Sequence, residues 1–195
     1  MTTLILSSIL VLGTARQDTV TLPKNMTDAV AGLSVTKSIV TQTSWFDKKS
    51  GFYAIKTYSC DGGHVYARLT RDRRIVEDEG YEVLRFGKHD PERQLPSEHT
   101  FPLSTKNGIT IGMSTSQVQK ALGKPVKTSI NGCKKQYSSY LYRYIKMFDR
   151  EEGVAFRNTY IFKSGKLIEI LITKDAIPGC CADGRSEEGW PWTRF

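Results

Sequence analysis

Residues 108–125, GITIGMSTSQVQKALGKP, carry a full set of helix signals in barely three turns. Ser114 suits the N-cap, and Gln117, three residues on, completes an S-x-x-Q capping box. Met113 and Val118 occupy the two positions of a hydrophobic staple, one before the cap and one a turn inside. Val118, Ala121 and Leu122 recur at helical spacing and make one narrow apolar face. Gly123 supplies a left-handed C-terminal residue, and Pro125 prevents the helix from continuing. The stretch predicts a short helix opening at Ser114 and closing at Gly123.

Working outward, the chain reads as strands. Residues 136–148, QYSSYLYRYIKMF, fit either period, but four tyrosines and the lack of Ala or Glu favour a strand. Residues 154–162 alternate Val, Phe, Asn, Tyr and Phe on one face. Lys163-Ser164-Gly165-Lys166 turns the chain, and Ile168, Ile170 and Ile172 are then expected inward on the partner strand. Residues 102–175 are therefore expected to combine a short helix with three strands, the last two a hairpin, an α+β unit.

Upstream, residues 16–101 form a mainly β region. Residues 38–46, 51–59, 64–70 and 81–86 are rich in Val, Ile, Tyr and Phe, and Asp61-Gly62-Gly63 marks a hairpin between two of them. Residues 71–79, RDRRIVEDE, suit a solvated loop, and residues 88–102, with three prolines, a linker between two halves. Downstream, residues 176–195 form an irregular tail holding Cys180, Cys181, Trp190, Trp192 and Phe195.

The string Ile109, Ile111, Gly112, Met113, Ser114, Gln117, Val118, Leu122, Gly123, Pro125 resembles the helix-start motif of the β-lactamase-inhibitor-protein-like superfamily. That group includes the small lipoprotein of the outer-membrane β-barrel assembly machinery. Tyr160-x-Phe162 with Gly165-x-Leu167 is similar to its final hairpin. The resemblance spans roughly residues 103–175 and implies a helical segment packed on a three-stranded antiparallel sheet, used for binding and carrying no catalytic residues.

Export is read from the first residues. The apolar run 4–12, LILSSILVL, ends in Gly13-Thr14-Ala15, small residues that suit a signal-peptidase site, so residues 1–15 are expected to be a signal peptide. The four cysteines then meet an oxidising compartment. Adjacent Cys180 and Cys181 have Cα atoms about 3.8 Å apart, below the usual disulfide range of about 4.4–6.8 Å. Cys60 and Cys133 are therefore each expected to pair with one of those two. Zinc would need a second half beside Cys60-x3-His64, and no CxxC or HxxxH supplies it. No metal or cofactor is implied.

Charge is uneven. Residues 1–98 hold 13 basic and 12 acidic side chains, and residues 99–195 hold 15 and 8. No carboxylate lies between Glu98 and Asp149, a span with eight Lys or Arg. Such a field attracts an acidic partner. With no nucleophile elbow, metalloprotease helix or phosphate-binding glycine loop, the expected function is a non-catalytic exported binding module for an acidic protein or anionic envelope polymer. The alternatives are a secreted enzyme inhibitor and a hydrolase built on a carboxylate pair; export argues against nucleic acid. If residues 136–148 are a strand, Tyr140, Tyr142 and Tyr144 share one face, while Leu141, Ile145 and Met147 share the other. The aliphatic face is expected against the helix. The tyrosine face is expected outward as the binding surface, with Lys134, Lys135, Arg143 and Lys146 around it. The exported chain is expected to begin at Arg16; an intact mass that includes residues 1–15 contradicts this.

Overall fold

Alternating apolar residues make most of the described elements strands. A computed structural model describes residues 20–37, 43–58, 64–74, 97–131, 136–148 and 152–178. Residues 1–15, residues 81–86, Lys134, Lys135, all four cysteines and residues 179–195 lie outside them, whereas residues 176–178, expected in the irregular tail, extend the last strand.

The elements are β1 (Ala29–Val30), β2 (Leu33–Ser34), β3 (Thr43–Asp47), β4 (Phe52–Tyr58), β5 (His64–Thr70), β6 (Ser97–Glu98), α1 (Thr115–Leu122), β7 (Lys127–Asn131), β8 (Tyr137–Met147), β9 (Glu152–Lys163) and β10 (Lys166–Pro178). The first two strands pair with each other. The other eight form one sheet in the order β6-β3-β4-β5-β10-β9-β8-β7, antiparallel except for the short β3–β6 pair. The expected antiparallel sheet and short helix are both present among the described residues, and the whole is sheet-dominated rather than clearly α+β. The strands on either side of the expected linker share this sheet, because β5 pairs with β10 from Leu69 opposite Ile170 to His64 opposite Asp175. Strand β7 adds a fourth member to the C-terminal group, one that the sequence reading did not contain.

Both tight hairpins turn the same way. Ser164 and Gly165 have φ of 49° and 75°, and Ala31 and Gly32 have 50° and 81°. Two successive positive φ values define the turn whose twist matches that of the strands it joins. The expected inward trio on β10 is shifted by a bulge between Leu167 and Glu169. Leu167, not Ile168, takes the buried position in line with Ile170 and Ile172. The extra residue of a bulge moves every side chain before it to the opposite face.

The helix begins and ends where its signals lie. Ser114 Oγ accepts from Gln117 N at 3.2 Å, and Gln117 Oε1 accepts from Ser114 N at 2.8 Å. Gly123, at φ 80°, closes the last turn by donating to Gln119 O at 2.8 Å. Its start is held by the β9–β10 turn: Gly112 N donates to Leu167 O and Leu167 N to Met113 O, both at 2.8 Å. Val118 and Leu122 are buried while Ala121 is exposed, so the apolar face is narrower than its spacing suggested.

One face of the sheet supplies the core. Phe52 and Ala54, Ala67 and Leu69, Ile170 and Ile172, and Phe156, Tyr160 and Phe162 cluster with Val30 and Leu33 of the small hairpin, with Ile109, and with Val118 and Leu122. Burial of each large apolar side chain contributes about 1.5–3 kcal/mol. Within this face, Lys56 is 0% exposed. Its ammonium donates to Ser34 O and, at 3.2 Å, to Lys37 O, so its charge sits on carbonyls at the end of β2 and just beyond it.

Burial, with the like charge of Lys174 added, brings Lys56 down to about 8, against a smaller upward pull from Asp28. In the unfolded chain its value returns to about 10.4. Between these pH values the unfolded state binds more protons here, so this residue's share of stability rises as pH climbs from 8 towards 10. Urea unfolding at pH 7.5 and 9.5 is expected to show wild type gaining on Lys56→Met. Parallel pH profiles for the two proteins would contradict this.

Candidate functional site

Antiparallel pairing determines where the expected binding residues point. Tyr140, Tyr142 and Tyr144 stand opposite Tyr160, Asn158 and Phe156 of β9. Those β9 side chains are buried in the core face, so the tyrosines turn inward too. Tyr142 is 1% exposed, meets Tyr160 edge-on at 5.8 Å, and donates from its hydroxyl to Gly123 O at 2.9 Å. Tyr140 packs edge-on against Phe162 at 5.0 Å. The outward tyrosine face expected from alternation is therefore corrected: the period was right and the side reversed. Alternation divides a strand into two faces, and only the neighbouring strand decides which one is inside.

Leu141, Arg143, Ile145 and Met147 occupy the opposite face. Ile145 and Met147 are 46% and 39% exposed, and Phe148 follows them at 43%. Lys146 is exposed at the margin of the tyrosine side, opposite Val154.

That second face also carries buried charge at its centre. Arg68 of β5 donates from Nε to Glu169 Oε1 of β10 at 2.6 Å, and Thr70 Oγ1 donates to Glu169 Oε2 at 3.0 Å. Further along β10, the Asp175 carboxylate takes His64 Nδ1 on one oxygen and Arg157 Nη1 on the other. The ring of His64 lies 5.6 Å from that of Tyr66. A carboxylate that orients an imidazole occurs in acid–base catalysis, but here the same carboxylate is also neutralised by a guanidinium. Glu169 and Asp175 lie six residues apart on one strand, about 20 Å at roughly 3.3 Å per residue. Paired-carboxylate hydrolysis needs about 5–10 Å, so these two do not make such a pair.

The basic stretch forms a surface of its own. Lys120, Lys124 and Lys127 run in sequence from the last turn of α1 into β7, and all three are exposed. They and Lys146 meet no carboxylate among the described residues. Lys127 stands opposite Leu141 on the face that also bears Arg143. On the opposite face of β7, Val126 and Ile130 are 61% and 62% exposed, large apolar side chains left in solvent.

Sequence reasoning missed β7 and the buried ion pairs. The alternation of Val126, Thr128 and Ile130 just after a helix-stopping proline was the available signal for β7. For the ion pairs it was a charged residue inside an apolar run, basic in residues 64–70 and acidic in residues 167–175.

Comparison with family models, with curated proteins and with solved structures finds no match for this chain. No helix among the described residues is long and apolar enough to cross a membrane.

Tyr142→Phe removes only the bond to Gly123 O and is expected to cost about 1 kcal/mol. Tyr142→Ser also removes a buried ring and is expected to cost about 3–5 kcal/mol, in the range of a large aromatic lost from a core. Urea unfolding of both variants checks the order; equal losses, or none, would place the ring outside the core.

Proposed function

We propose that this protein is a non-catalytic exported binding module that docks an acidic protein or anionic envelope polymer through the basic surface of α1, β7 and β8. One observation carries the reading: Lys120, Lys124 and Lys127 are exposed, consecutive along the chain, and unmatched by acid among the described residues. A surface of one sign steers an oppositely charged partner to itself and raises the rate of encounter. Exposed Val126 and Ile130 add apolar area, which supplies affinity that survives salt. This moves the binding surface from the tyrosines to the strand beside them. It keeps the charge argument and drops the outward tyrosine face.

The proposal extends to the fold. In this reading α1 lies along the sheet, and residues 102–175 take the pattern of the superfamily they resemble, a fold used for binding. The capped helix start and the β9–β10 hairpin support that likeness.

Binding of fluorescent polyglutamate at 50 mM and 300 mM salt tests the function. Wild type is expected to bind at low salt and to weaken at least tenfold at high salt. The triple variant Lys120→Glu, Lys124→Glu, Lys127→Glu is expected to lose binding at both. A wild type that ignores polyglutamate at 50 mM salt, or a variant that binds it equally well, would overturn the reading.

A further inference from the structure

Strand β7 is the last strand of the sheet, hydrogen-bonded to β8 on one side and to no described strand on the other. The alternate N–H and C=O groups on its outer side form a ladder with one rail missing. Proteins commonly protect such an edge by keeping it very short, bulging it, covering it, or placing charge along it. The pairing of β7 with β8 is regular through all five residues, without a bulge. Lys127 is its one charged residue, and four of the five residues from 126 to 130 are exposed.

The side chains along this edge are ordered in two rows. Val126, Thr128 and Ile130 share the side that bears Tyr140, while Lys127 and Ser129 share the side of Leu141. Lys124 and Lys120 continue the positive charge from the β7 start back onto α1. The apolar row matches one face of an incoming strand and Lys127 matches acidic groups on its other face.

We propose that β7 binds its partner by strand addition, and that the partner segment is an extended stretch of alternating apolar and acidic residues. This rests on the basic-surface reading above and names both the geometry and the chemistry of the ligand. The backbone ladder supplies affinity regardless of sequence, and the alternate side chains supply selection. The apolar residues of the added strand pair across with Val126 and Ile130 on one face, and its acids lie on the face of Lys127, with Lys124 adding positive charge where the strand begins. A second copy of this chain is disfavoured as the occupant, because two β7 edges would bring two lysine clusters together on molecules of formal charge +8.

The probe is a synthetic seven-residue peptide of alternating glutamate and valine with blocked ends. Two ligands control it: the same peptide N-methylated at alternate residues, and polyglutamate. The full chain is expected to bind the alternating peptide, and the N-methylated form at least tenfold more weakly in one of its two methylation registers. Hydrogen exchange at residues 127–131 is expected to slow on addition of the peptide. In Lys124→Glu, Lys127→Glu, preference is expected to switch to the peptide in which lysine replaces glutamate. Equal binding of all acidic ligands, with no added protection in β7, overturns strand addition and leaves the basic-surface reading standing. Failure of every acidic ligand, polyglutamate included, overturns both.

Discussion

Two carboxylates buried on β10 govern how its neighbours align. Glu169 and Asp175 lie on the central strand of the sheet, facing away from the apolar core, and both are largely removed from water. A buried acid is tolerated when its charge is matched and its oxygens are hydrogen-bonded. Arg68 and Thr70 do this for one, and His64 and Arg157 for the other. These partners come from β5 on one side and β9 on the other. A slip of one residue in either strand would turn the cations to the apolar face and leave the acids unmatched. Apolar alternation alone tolerates several registers; charge placed inside it tolerates one.

The same strand explains why one sheet serves the whole described chain. β10 has two full neighbours and is buried on both faces, which is the environment of a strand in mid-sheet. Its length carries it past the end of β5's pairing, and there the surplus residues 166–168 hold the segment leading into α1. The helix is thus located by hydrogen bonds to a turn, by Val118 and Leu122 in the core, and by Tyr142 reaching the carbonyl of Gly123. Tyr142 matters here as an internal tie, which is the opposite of the exposed role its spacing suggested. The lysines that follow Gly123 stay in solvent because the chain there has already left the core.

What could be read in advance divides along physical lines. The helix from Ser114 to Gly123 was legible because its cap, staple and stop lie within a few residues of each other, so no distant contact is needed to place it. The β9–β10 turn was legible for the same reason. The inward side of β8 was not, since Tyr140 and Leu141 are both able to face a core and the choice depends on Tyr160, twenty residues away. The bulge at Ile168 and the pairing of Arg68 with Glu169, 101 residues apart, are also decided at long range. Of the basic surface, the run of charge was legible and its neighbours Val126 and Ile130 were not.

The distance between β5 and β10 in the sequence also orders the assembly of the fold. Strands β8, β9 and β10 are joined by short connections, and local hairpins form in microseconds. Joining them to β5 requires closure of a loop on the order of a hundred residues, which slows proteins rich in distant contacts. Until that closure, the side of β10 that will meet β5 is a bare rail of isoleucine and leucine, the kind of surface on which chains stick to one another. In that waiting strand Glu169 is an unpaired negative charge, and Asp175 has only Arg157 of β9 beside it and still lacks His64 of β5. They repel the same strand of another molecule and attract the arginine and histidine of β5. The acids that the finished protein hides act, before it is finished, as guards against aggregation.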